Sequence, residues 1–474
     1  MDFFQIDPSS YILAQNLFIK IIGLSYFFAF WSLSWQVLGL YGSQGIIPAQ
    51  NVLQSYRSHN TTNKMFFTIP TLFWLNSSDK ALKLVAIIGQ ILSLFVVFGI
   101  MPAVWLPFLW IGYLSFANIG VVFLGFQWDA LLLEIGLISI FFAIQSPPPL
   151  FLLFALWILL FRFMFSSGIV KLLSECPEWC SLKAMRVHYE TQPIPNKIAY
   201  YAHQQPAWFA RFSEVVMFMI EILVPFFIFG NSESRFIACL ILIFFQVLII
   251  LTGNYAFFNL LTIGLCVTLL DNAHLQWVLG SVQANVVHPN MLISYFLNGV
   301  GIFFVLINIL QFIAIFGISR RIFQFLNLFR SYYITSSYGL FARMTTIRNE
   351  IVVEGSNDGE NWSVYEFKWK PGDLSIAPKQ VAPYHPRLDW HMWFAALSSY
   401  QHNSWFINFL VRLLEGSPTV LKLLKTNPFP DAPPKLIRTL VYEYHFTDLK
   451  TKKATGQWWR RKFRGYYTPT IKLE

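Results

Sequence analysis

Nine stretches of this chain are apolar over about the length a helix needs to cross a bilayer: 17–40, 81–101, 102–124, 129–146, 148–170, 213–230, 235–252, 255–271 and 292–317. The hydrocarbon core asks for ~20 mostly apolar residues per helix, because no water is there to satisfy exposed backbone groups. The pattern predicts a multipass α-helical membrane protein of about nine spans. Charge content agrees: only 12% of the 474 residues are Asp, Glu, Lys or Arg, while 55% are apolar and Phe occurs 49 times. A soluble chain carries about twice that charged share. The same figures exclude a disordered chain, a coiled coil and a secreted disulfide scaffold, and two of the four cysteines lie inside apolar stretches. Gly99-Ile100-Met101-Pro102 and Ser146 followed by Pro147, Pro148 and Pro149 mark sharp interfacial turns. Asp2 and Asp7 stand where a cleavable signal peptide is basic, so the first span is expected to act as the insertion signal.

Charge divides the chain. Residues 1–317 hold 12 Lys/Arg and 12 Asp/Glu, whereas 318–474 hold 22 and 12. The expected organisation is a transmembrane body, 1–317, with interfacial loops 42–80 and 171–212, followed by a soluble β-rich domain, 318–474, with a helical insertion. Within that tail, strands are expected near 350–355 and 361–369, joined by a tight turn at Asn357-Asp358-Gly359, because Asp-Gly favours positive φ. Thr439 to Phe446 alternates like a third strand, and residues 389–425 look helical. With nine spans, the excess of cations places 42–80, 171–212 and the Arg320-Arg321 flank on the cytoplasmic side, although long domains escape that rule.

Ionisable residues inside apolar runs are costly, and they are paired or functional. Asp129 and Glu134 share one run, five residues or about 140° apart on a helix. Arg162, in the span 148–170, is expected within about 6 Å of one of them, as a structural ion pair or in proton handling. Glu221 is a further intramembrane charge. Lys171 follows Ser166-Ser167-Gly168, small residues that let another backbone approach closely. It either snorkels to the headgroups or sits buried beside a carboxylate, where it could act as a base. Asp129, Glu134, Lys171 and His188 are the catalytic candidates. Cys176 and Cys180 lack zinc spacing, so no metal site is expected, and a redox pair needs an oxidising compartment. His188, Tyr189, Glu190, Thr191 and Gln192 either bind a polar ligand or satisfy their own loop. No cofactor is expected beyond a bound lipid or quinone.

In the tail, Arg387, Asp389, Trp390 and Trp393 suggest a recognition surface or a tightly folded corner. Trp458 to Arg464 pairs aromatics with cations, which suits anionic lipid headgroups better than nucleic acid, and no nucleic-acid partner is expected. Sequons stand at Asn60, Asn76 and Asn361. No phosphate-binding glycine loop or nucleophile elbow occurs.

Taken together, these motifs resemble the lipase maturation factors. The resemblance is carried by Gln127-Trp128-Asp129 through Glu134, Phe161 to Phe165 running into Ser167 to Leu172, and His188 to Pro193. Phe367 to Asp373 and Pro386 to Trp390 carry it in the tail. It spans nearly the whole chain. It implies a chaperone-like multipass protein that helps clients, lipases among them, to fold and assemble. The membrane would be that of the endoplasmic reticulum in a eukaryote or the inner membrane in a bacterium. The tail would face away from the cytoplasm and engage clients. A partial resemblance, Gly168 to Leu172 followed by Trp179, is to the vitamin K-dependent carboxylases and their transmembrane relatives, and it puts a catalytic lysine at Lys171. The alternative it implies is an integral membrane enzyme acting on a quinone or other lipid-soluble substrate. In that reading Lys171 is the base, in a pocket shaped by Asp129, Glu134, Arg162 and His188.

Overall fold

The computed structural model describes residues 6–59, 62–279 and 290–473; Asp2 and the Asn60 sequon lie outside them or at their masked edges. Among the described residues, seven helices are long and apolar enough to cross a membrane: Pro8–Tyr41, Asp79–Val97, Pro102–Ile119, Leu150–Leu173, Ala207–Phe229, Ser232–Thr252 and Met291–Ile315. Caps start several of them. The Asn231 carboxamide accepts from the Ser234 N–H at 2.9 Å, and Asn290 accepts from Leu292 at 3.0 Å.

Two of the nine expected spans fall short. The 129–146 stretch forms Gln127–Phe142, 16 residues, and the 255–271 stretch forms Phe258–Val267, 10 residues. At 1.5 Å per residue these are about 24 and 15 Å long, against a ~30 Å hydrocarbon core. Both are covered by protein: Trp128, Leu131, Leu132, Leu133, Ile135 and Ile138 are fully buried, as are Leu261 and Leu265. A helix that is apolar all round is satisfied equally by lipid or by neighbouring helices, so apolar length overcounted. The count of nine is not confirmed: seven helices among the described residues have the length.

Met291–Ile315 shows the opposite case. Leu292, Phe296, Phe303 and Leu306 point outward and exposed, while Leu297, Gly301, Phe304, Ile307 and Asn308 are buried. That buried stripe packs on Leu150–Leu173. A Cβ at Gly301 would stand 2.5 Å from the Phe151 carbonyl carbon, so the contact needs glycine.

In the tail, β1 (Arg348–Ser356), β2 (Ser363–Val364), β3 (Leu436–Phe446) and β4 (Trp459–Ile471) form an antiparallel sheet in the order β2-β1-β3-β4. The hairpin between β1 and β2 forms as expected: Gly359 has φ +79°, and Glu354 pairs with Val364. Its second strand is two residues long rather than spanning 361–369. Beyond Tyr365 the backbone leaves β1, and the N–H groups of Trp369 and Lys370 go to the Asp389 carboxylate at 2.8 and 2.9 Å.

The helical insertion divides into Arg387–Ala395, Ser404–Leu414 and shorter turns. It sinks into the body rather than standing off it. The hydrophobic core runs without a break from the body helices into Leu388, Trp390, Phe406 and Leu410. Both polar loops meet the tail. Arg412 donates to the Gly45 carbonyl at 2.9 Å, and Arg348 donates to the carbonyls of Glu190 and Pro193 at 2.9 Å. Loop 42–47, loop 171–212 and the tail therefore share one side of the helices. Tyr11, hydrogen-bonded to Arg235 at 2.9 Å, and Asn272, bonded to Ser9, mark the other.

Candidate functional site

The helix Gln127–Phe142 organises the charged interior. Asp129 lies in its first turn and accepts from the N–H groups of Gly125 and Phe126 at 3.3 Å. Its partner is not Arg162. Arg387 reaches in from the tail and spans both carboxylate oxygens at 3.0 and 3.2 Å. The guanidinium also donates to the Phe123 carbonyl at 2.6 Å and to Tyr113 Oη at 3.1 Å, and the Tyr113 hydroxyl donates to Asp129. Arg387 and Asp129 are wholly buried. A two-pronged arginine–carboxylate contact is the strong form of such a pair.

The corner that delivers Arg387 is itself built into the first helix. The Ser32 hydroxyl and the Gln36 carboxamide both donate to the His385 carbonyl at 2.8 Å, and the Arg387 N–H donates to Gln36 at 2.8 Å. Trp390 stands edge-on to Trp128, and the Trp393 indole N–H donates to the Thr191 carbonyl at 2.8 Å. Burial pushes the Asp389 carboxyl up to about 6, opposed by the Lys370 and Trp369 N–H groups. Arg387, Asp389, Trp390 and Trp393, expected as client-binding candidates, are all buried. They form the tightly folded corner and offer no surface.

Five residues along the same helix, Glu134 takes Arg162. Tyr338 Oη donates to Glu134 at 2.6 Å and the Ser336 N–H at 3.1 Å, while Arg162 Nε donates to Asn308 at 2.9 Å. One ion pair thus ties together Gln127–Phe142, Leu150–Leu173, Met291–Ile315 and the segment that enters the tail.

Lys171 is buried, with Nζ 2.6 and 2.8 Å from the two oxygens of Glu221 and 2.9 Å from the Ser167 carbonyl. Its ammonium lies 5.5 Å from the Trp179 ring. Gly168 makes this possible: a Cβ there would stand 2.7 Å from Ile222, so the Glu221 segment comes in against the small residues. Glu221 lies in a π-helical turn, Met219–Leu223, a local widening that recurs at functional sites.

His188 meets Tyr255 Oη at 3.1 Å, and the same hydroxyl donates to Gln192 at 3.0 Å. Burial and the Lys171 charge push His188 down to about 4, so the ring is neutral. Glu190 accepts from the Phe446 N–H and meets His445 Nδ1 at 3.2 Å. The loop motif His188 to Gln192 in this way meets the tail through Glu190 and Thr191, and the body through His188 and Gln192, which take Tyr255 and the Thr252 carbonyl. Among the described residues, cavities of about 320, 490 and 30 Å³ lie in the tail with Pro195 at one rim, and Lys171 does not line these.

Sequence reasoning missed Arg348, which pairs with Glu350 at 2.6 Å and clamps the 190–193 loop; Lys370, within the Phe367–Asp373 motif, lies 2.9 Å from the same carboxylate. The signal was present: Arg348 and Glu350 are two apart, on one face of a strand. Tyr113 and Asn308 were polar groups inside apolar runs and Tyr338 follows Thr335-Ser336-Ser337 outside them, with nothing in the sequence to join the three.

The family model for the lipase maturation factor transmembrane domain matches residues 13–277, and that for the lipase maturation factor C-terminal domain matches 334–469. Lipase maturation factor 2 of Xenopus laevis is 34% identical, covering 98% of this chain and 83% of its own. Human lipase maturation factor 2 is 32% identical over 97% and 83%, and human lipase maturation factor 1 is 32% identical over 98% and 88%. No solved structure matches.

Proposed function

The chain belongs to the lipase maturation factor family, and from that premise we propose that it is a membrane-anchored factor assisting the folding or assembly of client proteins, lipases among them. The observation that carries this is the similarity covering 98% of the chain, body and tail alike. The Arg387–Asp129 joint supports it, because a tail locked to the membrane body presents its sheet at a fixed place near the bilayer. Disrupting the gene in its native cell should lower the specific activity of secreted lipase while lipase synthesis continues. Unchanged activity per mass of lipase would overturn the reading.

We place the protein in the endoplasmic reticulum membrane, or in the inner membrane of a bacterium, with the tail away from the cytoplasm. Asn76 and Asn361 are exposed, and Asp79, three residues on from Asn76, accepts from the Ser43 N–H on the tail side, so glycosylation of either in a eukaryotic host reports that orientation.

The buried Lys171–Glu221 pair beside His188 favours a second reading, in which Lys171 is a base acting on a lipid-soluble substrate such as a quinone. Replacing both partners, Lys171→Met with Glu221→Met, removes the base and leaves no unpaired charge. Client maturation that survives this double change rules out the base; maturation that fails with the fold intact favours it.

A further inference from the structure

The sheet has one long open edge. β2, at one side, is two residues long, whereas β4, at the other, runs for 13 residues. Among the described residues, the outer edge of β4 has a backbone partner only at its start, where the Trp458 and Trp459 N–H groups reach the Leu374 carbonyl at 2.8 and 3.2 Å. From Arg460 to Tyr467 the N–H and C=O groups that do not pair with β3 face outward; Pro469, further along, has no N–H to offer.

The side chains there are of one sign. Leu449 to Glu474 hold eight lysines and arginines against a single acidic residue, Glu474. Arg460, Arg461, Lys462 and Arg464 are exposed. Arg461 lies over the Tyr442 ring and Arg464 pairs with Glu443, but among the described residues Arg460 and Lys462 have no ion-pair partner. Phe463 and Tyr466 stand between and beside these cations, 51% and 65% exposed. Charges on an edge strand also discourage aggregation, yet that role calls for charge alone and leaves the exposed aromatics unexplained.

We infer that the outer edge of β4 is a docking strand for an extended, acidic segment of a client polypeptide. Backbone pairing supplies the affinity, as in other strand additions, and Arg460 and Lys462 select carboxylates. Phe463 and Tyr466 cover the aliphatic residues that alternate with them. This rests on the maturation-factor reading above. Anionic headgroups share the charge preference but have no strand to pair.

The test uses the full chain in neutral detergent and a fluorescent peptide of alternating Glu and Val about ten residues long, enough to span most of β4. The peptide should bind, and Arg460→Glu with Lys462→Glu should weaken it at least about tenfold. N-methylation of alternate peptide amides, which blocks pairing and leaves the protein unaltered, should abolish binding. Equal binding of the methylated peptide, or of one with Lys in place of Glu, overturns the proposal even if the double variant folds poorly. So does a double variant that loses phosphatidylserine vesicles but keeps the peptide. Secretion assays separate the two readings. If disrupting the gene lowers client yield while the peptide arms fail, only the docking edge falls. If disruption changes no client, the maturation reading falls with it.

Discussion

Two arginine–carboxylate joints hang on one short helix, and they hold different regions together. The inner joint, Arg162–Glu134, links apolar helices that would be confined to the bilayer with or without it, and takes Ser336 and Tyr338 at the entry to the tail as further partners. The outer joint, Arg387–Asp129, links the membrane body to a segment carrying the basic excess of the chain, one with water as an alternative. Both pairs are buried, so each gains little over a well-packed apolar replacement but is costly to break on one side. What differs is what is released when the pair fails. At the inner joint the helices remain neighbours; at the outer joint a whole domain can leave.

The sharpest way to break this comparison is Arg387→Leu. It leaves Asp129 buried without its cation and removes the donors to Phe123 and Tyr113, at about 3–5 kcal/mol. The tail should become a ready substrate for limited proteolysis between 318 and 347, with a large fall in melting temperature in detergent. Adding Asp129→Leu should recover much of the loss, since no charge is then stranded.

Arg162→Leu has a similar electrostatic cost, about 3 kcal/mol, but a smaller consequence. The melting temperature should drop while the tail keeps its resistance to protease. Release of the tail in this variant would show that the two joints are one unit.

Acid should act mainly on the outer region. His385 and His391 lie in the docked corner and His188 beneath it; burial, with Arg387 beside the first two and Lys171 beside the third, holds all three rings below the ordinary histidine range, His391 at about 3 and His188 at about 4. The unfolded chain takes up these protons near pH 6.5 and the folded chain does not, so stability rises with pH across this window and is lost as pH falls. Asp389, raised to about 6, works the other way, because its folded form gains a proton first. Three groups against one predict a net loss on the order of 2 kcal/mol between about pH 7.5 and 6. Melting curves that are flat or rising toward acid would remove the histidines from the joint.

At the periphery, Lys452 sits 3.4 Å from the Trp458 ring centroid and within reach of Tyr200 and Tyr201. Lys452→Ala should cost only about 0.5–1 kcal/mol and leave protease resistance of the tail unchanged. A larger effect would mean that the tail is held at its rim as well as at its corner.

The sequence by itself determined that this chain lives in a membrane, because too few charges and too many long apolar runs leave no other solvent for it. It also placed Arg162 beside a carboxylate on the preceding helix, since a guanidinium in such a run must be neutralised. The small residues at 166–168 announced a close approach at Lys171, and Asp358-Gly359 announced a turn. The family was legible in the motifs. Only the tertiary structure decided which carboxylate Arg162 takes, that Asp129 is claimed by an arginine 258 residues away, and that Lys171 answers to Glu221. It also left, among the described residues, seven helices of spanning length where nine stretches were apolar enough, and of the two readings of the Arg387–Trp393 motif it gave the buried corner. The physical reason is the same in each case. An apolar or charged residue states what surroundings it requires, but lipid and protein provide dryness equally well, and a counter-charge can come from any part of the chain that the fold brings near.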